Sequence, residues 1–229
     1  MQILFEDDSL IFINKPAGIV VQRGYDAAEP VLHEDVSRYL AEKNEKSFLL
    51  QRLDRGTSGV IFFSKRAELN ANLTRQFERK YIRKRYLALC EGSLAQSQLI
   101  DAPLKRIGPI SFGVAAEGKR ALTRIDPIST SSWGSLLRIT LLTGRTHQIR
   151  VHLAAIGHPL VGDWLYGERN APRPMLHAAG LSMKHPRDGY DIEVSAPLPA
   201  DFLNETRKRN LPDPENCRQV YRNKDRMEP

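Results

Sequence analysis

The chain has 229 residues, 41% of them hydrophobic and 27% charged, enough for one sizeable core or a core with a small appendage. Its 34 Lys and Arg against 27 Asp and Glu leave a net charge of +7, which favours a polyanionic partner, nucleic acid before a membrane surface. Two cysteines, Cys90 in an apolar run and Cys217 in a polar tail, argue against a disulfide framework and lack zinc spacing. No apolar run reaches membrane-spanning length, and the acidic cluster Glu6, Asp7 and Asp8 is unlike a signal peptide, so a cytoplasmic monomer is expected.

Residues 2–21 read as a hairpin opening, with Ile3-Leu4-Phe5 and Leu10-Ile11-Phe12-Ile13 around the turn Asp7-Asp8-Ser9. Asn14-Lys15-Pro16-Ala17-Gly18 makes a second turn before Ile19-Val20-Val21. After a polar loop over 22–30, residues 31–42 have helical spacing, and residues 43–46 form a charged loop.

Next comes the stretch around which the chain is organised, Gln51-Arg52-Leu53-Asp54-Arg55-Gly56-Thr57-Ser58-Gly59. It lies between apolar Phe48-Leu49-Leu50 and the strand-like run at 60–64. One carboxylate between two arginines, in a loop gripped by buried flanks, suits a nucleophile better than a general acid. A purely structural Asp–Arg pair fits the same stretch.

Residues 66–79 predict a helix, with Leu69, Leu73 and Phe77 on one stripe. The densest basic run follows, Arg79-Lys80-Tyr81-Ile82-Arg83-Lys84-Arg85-Tyr86, leading into a strand over 87–92. Five cations with interleaved tyrosines match an RNA-backbone surface with stacking platforms, and equally a solvated helix end. Residues 93–142 read as all-β.

A helix is predicted over 143–156, capped by Thr143 and stopped by Gly157 and Pro159. On that helix Arg145 extends the inner stripe of Ile149, Leu153 and Ile156, where a carboxylate such as Asp54 would have to meet it. His147 and His152, five apart, face different sides and are not a metal pair. A glycine-bounded turn at 161–167 and strands at 175–183 and 191–194 close the domain. From residue 201 the composition turns to Arg, Lys, Asn, Glu and Pro, predicting a frayed helix and a disordered tail. The expected division is a catalytic domain over 1–200 and a charged tail over 201–229.

These stretches together resemble the RluA family of RNA pseudouridine synthases. The matching residues are Asn14-Lys15-Pro16-Ala17-Gly18, Arg52-Leu53-Asp54 with Thr57-Ser58-Gly59, Lys84-Arg85-Tyr86, Gly144-Arg145-Thr146-His147-Gln148-Ile149-Arg150 with His152, Gly162-Asp163 with Tyr166-Gly167, and Leu176-His177-Ala178. They fall in the family's order across residues 2–199. The resemblance implies an α+β fold, a mixed and mostly antiparallel central sheet with flanking helices and a basic catalytic cleft. It implies uridine isomerisation in tRNA or rRNA, redox-neutral and without metal or cofactor. Asp54 matches the catalytic aspartate, Tyr86 the tyrosine stacked on the target uracil, and Arg145 the arginine paired with the aspartate. Arg52 matches the arginine that holds the flipped RNA, Leu176 lies beneath the base, and Arg83, Lys84 and Arg85 are the expected phosphate contacts. The chain opens directly on the catalytic hairpin, so no small N-terminal RNA-binding domain is expected. One position departs: the family usually has histidine before its Arg-Leu-Asp, and here it is Gln51. Gln51 is what favours a second reading, a non-catalytic RNA-binding or RNA-folding protein on the same fold. An ordinary glycoside hydrolase needs paired carboxylates, and this loop has one.

Overall fold

A computed structural model describes residues 1–24 and 29–214. Cys217 and the rest of the expected disordered tail lie outside the described residues.

The centre is built by two doubly buried strands, β2 (Leu10–Lys15) and β4 (Ser58–Ser64), which pair antiparallel. Alternation along a strand sends successive side chains to opposite faces. Ile11, Ile13, Ile61 and Phe63 therefore enter one core, and Leu10, Phe12, Val60 and Phe62 another. The first core is covered by α1 (Leu32–Ala41), through Val36 and Leu40, and by α3 (Gln148–Ala155), through Ile149 and Leu153. The second is covered by α2 (Asn70–Glu78), through Leu73.

The main sheet runs in the order β1 (Gln2–Glu6), β2, β4, β11 (Leu176–Lys184), β5 (Arg83–Cys90), β10 (Gly134–Leu141), β9 (Leu122–Ser131), β6 (Gln98–Asp101). The short β3 (Phe48–Leu49) adds to β4, and β12 (Asp191–Ser195) adds to β11. A separate hairpin joins β7 (Leu104–Arg106) to β8 (Phe112–Val114). Within the main sheet β4 and β11 pair parallel and the other pairs are antiparallel. The α+β expectation and the all-β stretch before residue 142 agree with this.

The parallel junction of β4 and β11 lies directly behind the loop that carries Asp54. Gly59, at φ +111°, lets the two backbones approach so closely that a Cβ would lie 2.2 Å from the carbonyl oxygen of Ala178. Ser58 Oγ and His177 Nδ1 are 2.9 Å apart across it, and His177 Nε2 lies 3.3 Å from the Ala196 carbonyl. The carbonyl can only accept, so His177 carries its proton on Nε2 and Nδ1 accepts from Ser58.

Two expectations are corrected. The helix predicted over 143–156 begins only at Gln148, because residues 143–147 form a turn and His147 adopts the left-handed conformation (φ 56°, ψ 17°). Thr143 caps nothing. Its hydroxyl accepts the Leu122 amide and donates to Gln148 Oε1, which also accepts the Arg145 amide. Residues 200–208, expected to fray, form α4 (Ala200–Lys208), with Phe202 and Thr206 fully buried. Phe202 packs with Leu87, Leu89, Leu136 and Leu211, so the domain continues past residue 200.

Burial holds the His177 imidazole down to about 4, so it stays neutral in the folded protein at neutral pH. The unfolded chain, with its histidine near 6.5, binds the extra proton first as pH falls. This contribution to stability is present above about 6.5 and is lost progressively toward 4, about 2 kcal/mol between pH 7 and pH 5. Urea unfolding of wild type and His177→Gln at both pH values checks it, the variant being expected to lack that part of the pH slope.

Candidate active site

Asp54 sits at the tip of the loop between β3 and β4, where a turn is closed by the Thr57 amide donating to the Asp54 carbonyl (3.0 Å). Two buried basic side chains suspend this loop from either side. Lys15, fully buried, donates to the carbonyls of Pro16 (2.9 Å), Ile19 (2.8 Å) and Arg55 (3.2 Å). Burial pulls its amine down to about 7, with the Arg173 charge acting the same way and Asp54 opposing. Arg173 donates to the Gly56 carbonyl (3.1 Å) and grips Asp201 at the start of α4 through a two-point contact of 2.7 and 2.9 Å.

The arginine that meets Asp54 is Arg150. Its Nη1 lies 3.6 Å from Asp54 Oδ2, while Nε and Nη2 each donate at 2.7 Å to the fully buried carboxylate of Asp163. The guanidinium also lies over the Tyr166 ring, 5.0 Å from its centre. Arg145, expected in this role, is exposed on the cleft wall and donates from Nε to the Arg120 carbonyl (3.0 Å). The late start of α3 explains the correction, because Arg145 is not on the helix and does not share its inner stripe. Arg55, flanking Asp54 in sequence, is turned to Glu29 and the Gly18 carbonyl.

On the other carboxylate oxygen, His147 Nε2 stands 4.0 Å from Asp54 Oδ1. Tyr166 Oη accepts the Phe112 amide (2.9 Å), and its own proton is placed for His147 Nδ1 (2.8 Å). The ring proton of His147 is then on Nε2, toward Asp54. Burial lowers the imidazole's proton affinity, Asp54 opposing, which keeps the ring a neutral donor at neutral pH. His152, by contrast, is structural, bonded to Thr123 and the Ala102 carbonyl.

Tyr86 and Leu176, both buried, line the same cleft from β5 and β11. Burial, followed by the charge of Asp54, pushes the Tyr86 phenol well above its usual range, so it is a protonated platform rather than a standing phenolate. Strand alternation divides the expected phosphate contacts. Lys84 lines the cleft with Tyr86, and burial pulls its amine below the usual value. Arg83 is exposed and does not line the cleft, and Arg85 is paired with Glu193. Gln51 lines the cleft with a buried Nε2 that has no hydrogen-bond partner. Arg52 is exposed on the rim.

The cleft encloses about 550 Å³, and the charged side chains lining it are Arg52, Arg55, Lys80, Lys84, Arg145 and Arg150 around the single carboxylate of Asp54. Such a site suits an anionic ligand bearing a flat group. Among the described residues no group of three His, Cys, Asp or Glu is placed to hold a metal, and no helix is long and apolar enough to cross a membrane.

The family model described as RNA pseudouridylate synthase matches residues 9–155. A ribosomal large subunit pseudouridine synthase D of Nitrosomonas europaea is 36% identical over 93% of this chain and 66% of its own length. An uncharacterised RNA pseudouridine synthase of Bacillus subtilis is 38% identical over 89% of this chain and 70% of its own. The chain thus spans about two thirds of the length of these curated relatives. The solved structure of human RNA pseudouridylate synthase domain containing 4 shares the fold, with a TM-score of 0.77 over 92% of this chain and 94% of that one at 22% identity. The family match defines an enzyme that acts on RNA. The chain belongs to the RNA pseudouridylate synthase family, isomerases acting on RNA, as the RluA resemblance implied.

If Arg150 is the partner of Asp54, Arg150→Lys, which cannot reproduce the planar fork, should slow single-turnover pseudouridine formation at least tenfold. Arg145→Met should slow it by less than about threefold at saturating enzyme, ~0.7 kcal/mol in the barrier. The opposite order would restore Arg145 to the role.

Proposed function

We propose that the protein converts uridine to pseudouridine in large-subunit ribosomal RNA, with Asp54 as the catalytic carboxylate. The observation that carries this reading is the contact of Asp54 with Arg150, itself locked to Asp163, in a cleft walled by Tyr86 and Leu176 whose charged side chains other than Asp54 are all Lys or Arg. The ribosomal target is supported by the name of the Nitrosomonas europaea relative.

In the isomerisation the N1–C1′ bond breaks, the base turns, and a C5–C1′ bond forms, while C5 loses a proton and N1 gains one. Atoms and electrons balance without a redox partner. A stacked uridine is out of reach of Asp54, so the nucleotide must leave the helix at a cost of roughly a few kcal/mol. Phosphate contacts to Arg52, Lys80, Lys84 and Arg145 offset that cost. Tyr86 stacks on the uracil, Leu176 supports it from below, and the unpartnered Gln51 amide supplies a donor in the place the family usually gives to histidine. Arg150 Nη1 and His147 Nε2 face the two Asp54 oxygens at 3.6 and 4.0 Å. A monomer is the working unit we propose, and a ribosomal RNA substrate supports the cytoplasm as its place. A glycosidase would require a second carboxylate facing the cleft, and Asp163 is sealed behind Arg150.

Asp54→Asn keeps size and hydrogen-bonding capacity but removes the nucleophilic charge. It should abolish pseudouridine formation while changing RNA affinity by less than about threefold, because affinity rests on phosphate contacts. The measurement is single-turnover conversion of ribosomal RNA with binding followed in parallel. Near-normal turnover by the variant would overturn the assignment.

A further inference from the structure

The basic run at 79–85, continuous in sequence, is divided between two surfaces by the end of α2. Tyr81 donates its amide back to the Gln76 carbonyl (2.9 Å) and Lys80 to that of Phe77 (3.2 Å), with Lys80 in the left-handed conformation at φ 59°. This helix-ending turn is usually made by glycine. The reversal directs Lys80 and Ile82 to the cleft, and Arg79 and Tyr81 to a second groove of about 350 Å³.

The second groove is a built feature. Its floor is fixed by Gln76, which is 6% exposed and bonds reciprocally to the end of β11, Nε2 to the Lys184 carbonyl (2.9 Å) and Oε1 from the Lys184 amide (3.1 Å). Arg75 and Arg79, one helical turn apart, line one side, and Arg187 of the β11–β12 turn lines the other. None of these three exposed guanidinium groups has a carboxylate within 4.0 Å among the described residues, whereas Lys184 is taken by Asp191. The acids nearest the floor, Asp7 and Asp188, both face the buried His185. Three like charges around one hollow repel each other until a polyanion occupies it. At the rim Tyr81 is 56% exposed, a large aromatic face open to solvent.

We propose that this groove is a second RNA-binding site, holding the strand that continues out of the cleft. It takes phosphates on Arg75, Arg79 and Arg187 and one unpaired base on Tyr81. RNA is the occupant because the ridge at residues 80–82 separates the groove from the cleft by a single turn of chain, so one strand crosses from Lys80 to Arg79. The proposal rests on reading the cleft as an RNA site.

The probe is a fluorescent 30-nucleotide oligouridylate, bound from 50 to 400 mM KCl by wild type, Arg75→Gln/Arg79→Gln/Arg187→Gln, Tyr81→Ala and Tyr81→Phe. With about 0.7 counterions released per single-strand phosphate contact, the triple variant should flatten the slope of log affinity against log salt by about 2. Tyr81→Ala should lose roughly five- to tenfold in affinity and Tyr81→Phe almost none, as stacking requires. An unchanged slope in a triple variant that melts like wild type overturns the proposal, as does a wild type that fails to bind at 50 mM KCl. Binding does not depend on isomerisation. Loss of the groove effect with normal pseudouridine formation sinks the groove alone, and a wild type that binds as described without modifying ribosomal RNA sinks the catalytic reading alone.

Discussion

The site depends on one guanidinium shared between two carboxylates. Arg150 is 6% exposed, and a buried arginine without a partner would be prohibitively unstable. Asp163 answers that requirement with two contacts of 2.7 Å and is itself held by the turn after Leu160, where its amide meets the Leu160 carbonyl (3.1 Å). This uses Nε and Nη2, and leaves Nη1 directed at Asp54. Removing one partner of such a pair typically costs 3–5 kcal/mol, roughly, a large share of the stability of a domain. Helix α3, the turn at 160–166 and the Asp54 loop therefore meet at one guanidinium.

The loop itself also hangs between two buried basic side chains that hydrogen-bond its carbonyls. Lys15 holds the Arg55 carbonyl from the Asn-Lys-Pro turn, and Arg173 holds the Gly56 carbonyl from the side of α4. Such contacts hold the backbone that carries Asp54, which is what electrostatic preorganisation asks of the groups around a reacting centre. They also give α4 a part in the site, since Asp201 holds Arg173 in place.

Much of this was legible in the sequence. The apolar runs at 10–13 and 60–63 are legible by pattern as buried strands, whereas Asp54 and Tyr86 stand out as site candidates through the family resemblance rather than by pattern alone. Arg145 falls on the inward stripe only if residues 143–156 are helical throughout with Thr143 as a cap. The deciding feature is tertiary: Gln148 bonds to Thr143, Leu122 and Thr123 and forces His147 into a left-handed turn. The buried acid of the Gly162-Asp163 turn was the available hint, since a fully buried aspartate demands a cation and Arg150 is on the adjoining helix. Tail composition misled for a similar reason, because α4 is mostly polar and stays folded through Phe202 and its ion pairs. The basic run was recognised as a run, but strand alternation and the turn at Lys80, not composition, decide which cations face the cleft.

In the proposed site Asp163 reaches Asp54 only through Arg150, and a double-mutant cycle on single-turnover pseudouridine formation tests that shared guanidinium most directly. Wild type, Arg150→Lys, Asp163→Asn and the double variant are compared at a temperature where all four remain folded. The account predicts strong non-additivity, with the double variant no slower than the slower single variant by more than about threefold, ~0.7 kcal/mol. Rate losses that multiply, as for independent sites, would contradict it.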